Sequence, residues 1–308
     1  MSQLIKSARS VRRMLWSFTH FLLIYQIRRS WQHNCSVNIT AVVFSKDRAM
    51  QLHALLSSFF DTKIGECGIV VIYKSTTEAH KKAYEEVAGI FRNKVGFIEQ
   101  DAYSSFRSCL EHTVSELPNG KVFFLVDDIV FTEEVDYRVL SAQDLSNVIF
   151  SLRMGKHLDY SYTISSKQAL PESLQTKDGY LVWKWSEGKL DWGYPLSVDG
   201  HVFSIAEVLL WITHLKFSSP SSFEGSLQML SQVYRKKFGM SFMKARLVNI
   251  PANRVQNEVN NLHGNVHQDD LLQQWFDGLA IDHKKFRGWV NHSVHQEADF
   301  HLIKRECE

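Results

Sequence analysis

Short runs of apolar residues alternate along the first half of the chain with longer segments in which apolar residues recur every three to four positions. Residues 122–126 are five consecutive apolar residues, a pattern typical of a strand that is buried on both faces. Similar runs at residues 39–44, 68–73 and 95–98 predict three earlier strands. Because predicted helices separate these strands, the pattern predicts a mostly parallel sheet with right-handed crossovers.

The predicted helices carry apolar residues at helical spacing, and beyond residue 131 the pattern becomes less regular. Helices are expected at residues 50–60, 104–117, 140–153, 205–215 and 223–238, with one more through Tyr84 and Val87. Further strands are expected at residues 179–185, 196–203 and 245–251. Residues 253–268, rich in Asn, His and Gly, are expected to form an active-site loop or lid, and a C-terminal helical tail is expected to follow.

Composition changes this picture little, but the charge distribution adds to it. The chain has 308 residues, 44% hydrophobic and 22% charged, which fits one large domain with or without an extension. The net charge is +2, yet residues 1–33 contribute +6, so the remainder carries −4. A globular part without a basic surplus argues against a dedicated nucleic-acid binder. The four cysteines form no C-x-x-C pair, so a reducing compartment is expected.

The basic N-terminal arm predicts contact with a membrane surface. The stretch between Arg13 and Arg28 is uncharged but has only 14 residues, whereas a spanning helix needs about 20. Arg28 and Arg29 stand where a signal peptide would need small residues. A helix lying in the membrane plane fits better, with aromatic residues in the acyl boundary and arginines at anionic head groups. The alternative is a helix that packs on the domain or on a partner chain.

The most informative residues for function are Asp127 and Asp128, which follow the apolar run at residues 122–126. In open α/β sheets, ligands collect at the carboxyl ends of strands. Adjacent carboxylates repel each other unless a cation, several hydrogen-bond donors or water offsets their charge. A divalent metal shared with substrate phosphates would explain such a pair, and a simple turn or helix cap is the alternative. A Walker B acid is excluded because the chain has no G-x-x-x-x-G-K-[ST] loop.

Three short motifs resemble the GT-A glycosyltransferases, most closely the family-2-type inverting enzymes that use nucleotide sugars. The segment Ile39-Thr-Ala-Val-Val-Phe-Ser-Lys-Asp-Arg48 resembles their opening strand and turn, and Phe123-Phe-Leu-Val-Asp-Asp-Ile129 resembles their D-x-D metal motif. Phe106-Arg-Ser-Cys109 resembles the turn under the sugar diphosphate. The order of elements is similar over roughly residues 39 to 255. The chain departs from the family where its second strand ends in Tyr73-Lys74 rather than in acids, and where the metal motif reads Asp-Asp-Ile.

The resemblance implies a GT-A (Rossmann-like) three-layer sandwich with a mostly parallel central sheet. It implies a site that holds Mn²⁺ or Mg²⁺ against a sugar diphosphate, with Asp127, Asp128 and His263 as metal ligands. His267 lies in the same predicted loop, and an exposed loop histidine is the alternative for both. The expected nucleotide-sugar-binding residues are Ser45, Lys46, Arg48, Lys74, Asp101, Arg107 and Asp127.

Two carboxylates are candidates for the general base that deprotonates an acceptor hydroxyl. Glu224 lies near a predicted helix start, where the resemblance implies such a base, and it could instead complete a capping box with Ser221. Asp199 precedes Gly200, so it is either the rival base or a turn residue. The sequence leaves both assignments open.

The resulting hypothesis is a metal-assisted, inverting glycosyltransferase of surface polysaccharide biosynthesis, with a saccharide or glycolipid acceptor. It would be cytoplasmic and peripherally associated with the inner face of the membrane. The expected organisation is a membrane-surface helix at residues 1–36, a GT-A domain at 37–268 and a C-terminal helical extension at 269–308. A GT-A-like scaffold or binding protein that has lost catalysis is the alternative.

Overall fold

A computed structural model describes residues 21–31, 37–251 and 268–305. The predicted lid, apart from its last residue, lies outside these described residues, and so do His263 and His267. Besides a helix that covers residues 21–30, the described helices are α1 (Ala49–Thr62), α2 (Glu78–Ile90), α3 (Phe106–Glu116), α4 (Tyr137–Ala142), α5 (Ile205–His214), α6 (Pro220–Leu227), α7 (Ser231–Tyr234) and α8 (Gln268–Phe276). Single 3-10 turns lie at Leu190–Gly193, Gln228–Leu230 and His283–Phe286.

The described strands form one large sheet and four small ones. The large sheet contains β1 (Ile39–Lys46), β3 (Gly68–Lys74), β4 (Gly96–Glu99), β5 (Lys121–Val126), β8 (Val148–Ser151), β11 (Gln175–Lys177), β12 (Tyr180–Lys184), β13 (His201–Ser204) and β14 (Phe238–Phe242). Two-stranded pairs are formed by β2 (Lys63–Ile64) with β7 (Val135–Asp136), β6 (Ile129–Phe131) with β15 (Leu247–Asn249), β9 (Tyr160–Ser161) with β10 (Ser166–Lys167), and β16 (Leu279–Ile281) with β17 (Leu302–Lys304).

The large sheet has the strand order β11-β12-β14-β8-β13-β5-β1-β3-β4. Strand β1 pairs in parallel with β3 and β5, β3 with β4, and β14 with β8. The antiparallel pairings involve β12 and β13, so these two strands run against the other seven. The prediction of a mostly parallel central sheet is therefore confirmed.

Side chains of β1 alternate between two hydrophobic cores, one on each face of the sheet. Ala41 and Val43 belong to the core that includes α1 and α2, whereas Val42 and Phe44 belong to the core that includes α3 and α5. Successive strand residues point to opposite faces, so a strand covered on both sides must be apolar throughout. This explains the unbroken apolar runs in the sequence and gives the predicted three-layer arrangement.

Two predicted helices were wrong in extent. The helix expected at residues 140–153 is the short helix α4 followed by strand β8. The one expected at residues 223–238 is divided into the end of α6, a 3-10 turn and α7, and it ends at Tyr234, before β14 begins. The residues of β8 are Val-Ile-Phe-Ser, β-branched and aromatic, which favours a strand over a helix. In a short buried strand, a continuous apolar run cannot be told from a helix by periodicity.

Residues 21–30 form a helix that packs on the domain through one face. Leu23 and Ile27 are buried in the same core as α3 and α5, whereas Phe21, Leu22 and Tyr25 are exposed. Arg28 and Arg29 are exposed as well. Among the described residues, no helix has the length and apolar character needed to cross a membrane.

Residues 268–305 pack against the domain and contain one α-helix, two strands and a 3-10 turn. Leu271 and Trp275 of α8, with Ile281 and Phe286, lie in the core that includes α1 and α2. After this, residues 291–296, called here the strap, run back towards the end of β15.

Candidate active site

The topology brings two acidic turns to one edge of the large sheet. Asp127 and Asp128 follow β5, whereas Asp199 precedes β13, which runs antiparallel to β5. The start of β13 therefore lies beside the end of β5, and the Gly200 N–H donates to the Phe124 carbonyl (2.8 Å). Gly200 has φ +74°, and an added Cβ would lie 2.9 Å from a methyl group of Leu247, so only glycine suits this turn.

Asp127 is buried and accepts three hydrogen bonds from the end of β1 and the turn that follows it. Its Oδ2 accepts from Ser45 Oγ (2.9 Å) and from the Lys46 backbone N–H (3.0 Å). Its Oδ1 accepts from Nη1 of Arg48 (3.0 Å). Because β1 and β5 are neighbouring parallel strands, their carboxyl ends place these groups side by side. The turn that resembles the glycosyltransferase motif therefore binds the first acid of the pair.

Asp128 shares the Arg48 guanidinium and accepts a further hydrogen bond from Asn249. Arg48 Nη1 lies 3.1 Å from Oδ2, and Asn249 Nδ2 donates to Oδ1 (2.8 Å). Pairing of β6 with β15 places Asn249 next to Ile129, and the Ile250 N–H donates to the Asp128 carbonyl (2.8 Å). Burial, together with the charges of Asp127 and Asp199, raises the pKa of Asp128 to about 6 despite Arg48.

The acid pair suits a metal that is shared with a substrate, but not a closed protein cage. Among the described residues, no three His, Cys, Asp or Glu side chains come together as a metal site. Asp127 already receives three donors, whereas Asp128 receives two and keeps lone pairs on both oxygens. A cation near Asp128 would also offset the cost of burying its negative charge, which is the main cause of its raised pKa. Mg²⁺ is commonly held in this way, by one or two carboxylates and substrate phosphates.

Asp199 is held by two cationic or hydrogen-bonding side chains. Arg153 Nη1 lies 3.2 Å from Oδ2, and His295 Nε2 lies 3.3 Å from the same oxygen. Burial alone would raise the pKa of Asp199, but the hydrogen bond from His295 and the charge of Arg153 hold it below the usual value. Asp199 is therefore a carboxylate that stays ionised.

Glu224 is a partly buried carboxylate beside Asp199, and it does not cap its helix. Ser219 and Ser222 form the capping box of α6, so the expected capping box with Ser221 is wrong. Instead, Glu224 Oε1 accepts from the Val198 backbone N–H (3.3 Å). Burial and the charge of Asp199 raise the pKa of Glu224 to about 7. The site therefore contains two neighbouring acids whose pKa values are shifted in opposite directions, a common property of acid–base sites.

Besides Arg48, two of the predicted cations lie at the same edge as the acid pair. Lys46 and Lys74 are aligned across β1 and β3, at the last residues of both strands. The Lys74 side chain is exposed, and its backbone carbonyl accepts from the Asp47 N–H (3.2 Å). Their position at the carboxyl ends of parallel strands is where anionic ligands of open α/β sheets are bound.

Asp101 and Arg107 use their side chains in local contacts. The exposed Asp101 carboxylate accepts from Ser104 and from the Tyr103 N–H, which closes the turn before α3. Arg107 donates to the carbonyls of Leu215 and Thr213 (2.7 and 3.1 Å) and to a third carbonyl, so its guanidinium binds the C-terminal end of α5. These contacts stabilise the loops around the site.

The sequence did not indicate three residues of the site. Asn249 and Arg153 hold the two acidic turns, and His295 approaches from the strap. A buried Asn at a strand end needs a hydrogen-bond partner, but the burial of Asn249 is visible only in the structure. Arg153 and His295 carry no local pattern, since their roles depend on contacts with residues far away in the chain.

Comparison with known proteins identifies a glycosyltransferase as a relative. No protein-family model matches the chain. It is 23% identical over 285 residues to the bifunctional glycosyltransferase pgtA of Dictyostelium discoideum, covering 81% of this chain and 36% of that protein. The chain thus spans about a third of this relative's length. The sequence resemblance to glycosyltransferases is confirmed at this level.

Solved structures with weaker similarity include a complex with UDP and a mannosyltransferase. S. aureus TarS residues 1–349 with UDP align with a TM-score of 0.46 and 13% identity, covering 68% of this chain and 59% of that chain. The mannosyltransferase PcManGT of Pyrobaculum calidifontis, with GDP-Man and Mn²⁺, aligns with a TM-score of 0.32 and 12% identity, covering 45% and 44%. At such TM-scores, the chemistry has to be argued from the residues of this chain itself.

Proposed function

We propose that this protein is a glycosyltransferase that moves a sugar from a nucleoside diphosphate donor to a saccharide or glycolipid acceptor, with inversion. One observation carries the proposal: Glu224, with its pKa raised to about 7, lies beside the ionised Asp199 at the sheet edge that holds Asp127 and Asp128. A carboxylate with a pKa near neutrality can take a proton at physiological pH. The sequence similarity to a named glycosyltransferase supports the reaction class.

In the proposed reaction, the acceptor hydroxyl oxygen attacks the anomeric carbon of the sugar. The bond from that carbon to the diphosphate oxygen breaks, and its electrons leave with the diphosphate. Glu224 takes the hydroxyl proton, because its pKa is higher than that of Asp199 and because Asp199 is already held by Arg153. In-line displacement of this kind inverts the anomeric configuration.

The donor diphosphate is proposed to lie against Lys46 and Lys74, with Ser45, Arg48 and Asp127 fixing the turn beneath it. Lysine side chains at strand ends can bind phosphate oxygens directly. Asp101 and Arg107 are proposed to act indirectly, by holding the loop before α3 and the end of α5.

Mn²⁺ or Mg²⁺ is proposed to be held through Asp128, with Asp127 close by. Such a cation would stabilise the charge that develops on the leaving diphosphate. The protein's own contribution is to orient Asp128 through Asn249 and Arg48. A ligand role for His263 remains part of the proposal.

Attachment to the cytoplasmic face of a membrane is proposed through the helix at residues 21–30. Phe21, Leu22 and Tyr25 are 67%, 40% and 56% exposed on a helix whose other face is buried in the domain. Exposed aromatic residues next to Arg28 and Arg29 are the composition of interfacial helices that bind anionic lipids. A membrane-bound glycolipid acceptor in surface polysaccharide biosynthesis would suit this position.

Nucleotide binding followed by a transfer assay tests the proposal. UDP, GDP or CMP with Mn²⁺ is expected to raise the thermal midpoint, and one nucleotide sugar of a panel is expected to be consumed in the presence of acceptor. A rise in midpoint without any transfer or hydrolysis would support a catalytically inactive binding protein instead. No shift with any nucleotide would overturn the proposal.

A further inference from the structure

The strap at residues 291–296 is fixed on two sides by hydrogen bonds to the domain. The backbone N–H groups of Asp159 and Tyr160 both donate to the His292 carbonyl (3.1 Å each), and the Tyr162 N–H donates to Ser293 Oγ (3.0 Å). Val294 is buried, with 2% of its surface exposed. The strap is therefore a packed part of the domain rather than a surface loop.

The other side of the strap encloses Asn249, the residue that holds Asp128. The Asn249 N–H donates to the Val294 carbonyl (3.0 Å), and the Asn249 carbonyl accepts from the Gln296 N–H (2.9 Å). These two bonds lie on either side of His295 and fix it opposite Asn249. The strap thus fixes the backbone of Asn249, which holds Asp128, and it also places the His295 side chain against Asp199.

His295 binds Asp199 through one ring nitrogen, and the environment of the other nitrogen selects the tautomer. Nε2 lies 3.3 Å from Asp199 Oδ2, whereas Nδ1 is buried with no hydrogen-bond partner among the described residues. A proton on a buried Nδ1 without an acceptor would be costly, so in the neutral form of the ring the proton lies on Nε2, which donates to Asp199.

We infer that His295 is a positioning residue of the proposed transfer and acts through Asp199. Together with Arg153, it directs Asp199 Oδ2 away from the acceptor proton and keeps a fixed negative charge beside Glu224. Glu224 is then the carboxylate left to receive the proton. This inference rests on the proposed function, and it assigns to the strap a role in catalysis that lies beyond the region of motif resemblance.

The test compares three variants of the full chain: His295→Ala, His295→Gln and His292→Ala. His292 is a matched control because it lies on the same strap but its side chain is 69% exposed and pairs with the surface residue Asp159 (3.4 Å). His295→Ala is expected to lower kcat on the order of tenfold, with nucleotide affinity and thermal midpoint little changed. The glutamine amide can still donate to Asp199, so His295→Gln should recover part of kcat. The inference is overturned if His295→Ala matches His292→Ala, or if kcat falls only in proportion to nucleotide affinity.

A second readout separates failure of this inference from failure of the proposed function. In protein labelled with ¹⁵N-histidine, the ring signals missing from His295→Gln belong to His295. They should show the tautomer with a proton on Nε2 and should move in Asp199→Asn, whether or not any sugar is transferred. If the wild type transfers no sugar but these signals respond, only the proposed function fails. If the His295 ring signals do not change in Asp199→Asn, the inference itself is overturned.

Discussion

Nη1 of Arg48 lies 3.0 Å from Oδ1 of Asp127, and the same atom lies 3.1 Å from Oδ2 of Asp128. One guanidinium therefore separates two adjacent carboxylates that would otherwise repel each other. All three side chains are largely buried, with side-chain exposures of 10%, 4% and 12%. The cation needed to balance the acid pair is supplied in part by the protein itself.

Removal of this cation is expected to destabilise the fold in a pH-dependent way. Arg48→Ala leaves two buried carboxylates without their shared partner, a change that typically costs about 3–5 kcal/mol of unfolding free energy. The loss should be smaller at pH 5, because Asp128, with a pKa raised to about 6, is then largely protonated. Urea unfolding at pH 5 and pH 8 measures both values. Arg28→Ala, at an exposed position of the helix at residues 21–30, is the control. If Arg48→Ala lowers the unfolding free energy equally at both pH values, the argument is contradicted.

The pH dependence of transfer distinguishes Glu224 from Asp199 as the base. With Glu224 as base, kcat/KM should rise with pH through about 7, and Glu224→Gln should abolish transfer. Asp199→Asn removes a negative charge that raises the pKa of Glu224, so the rising limb should move to lower pH, and kcat should fall about as far as in His295→Ala without being abolished. If Asp199→Asn abolishes transfer while Glu224→Gln only weakens it, the roles are reversed.

The raised pKa of Glu224 also predicts that this residue destabilises the fold at alkaline pH. A carboxyl group whose folded pKa lies above its unfolded pKa contributes stability below the unfolded value, and this contribution is lost as pH rises through the folded value. Glu224→Gln should therefore increase the unfolding free energy at pH 8 by on the order of 2 kcal/mol, with little gain at pH 4. Chemical unfolding at both pH values checks this, and a gain that is the same at pH 4 would point to another cause.

Substitution of Asp128 should impair metal-dependent transfer more than substitution of Asp127. Treatment with chelator is expected to abolish transfer, and Mn²⁺ or Mg²⁺ should restore it. Asp128→Asn should raise the metal concentration needed for half-activity, because Asp128 retains lone pairs that Asp127 has largely used. Activity that ignores both chelator and Asp128→Asn would exclude a metal-assisted reaction.

Binding to anionic vesicles tests the helix at residues 21–30. The double variant Phe21→Ser, Tyr25→Ser removes two exposed aromatic residues without touching the buried Leu23 and Ile27, so the fold should persist. Co-sedimentation with anionic vesicles should fall several-fold and should also fall with salt. Tyr103→Ser is a suitable control, since Tyr103 is 99% exposed but lies outside this helix. Equal binding of both variants would argue against the proposed membrane contact.

The sequence predicted the strands and helices of residues 39–131 well because their patterns are long and regular. Strand β5 and helix α1, for example, agree with the predicted segments to within a few residues. The second half was harder to predict because strands such as β8 have only four residues. There, tertiary packing decides between strand and helix, and local periodicity does not.

The sequence predicted the site residues that lie at the ends of neighbouring strands, but not those that come from segments far away in the chain. Ser45 ends β1 together with Lys46, Arg48 follows β1 and the acid pair follows β5, so the topology of a parallel sheet brings them together. Arg153 and His295 meet Asp199 only through folding of distant segments. The sequence predicted only part of the role of Arg48. Its position in the turn suggested phosphate binding, but the sequence did not show that its guanidinium contacts both Asp127 and Asp128.

The place of the strap along the polypeptide has a consequence for biosynthesis on the ribosome. The nine strands that the structure describes in the large sheet are translated before residue 243, whereas the imidazole that pairs with Asp199 is added about fifty residues later. A nascent protein can therefore form its large sheet before His295 has been synthesised. Such an intermediate would still lack the side chain that we propose positions Asp199.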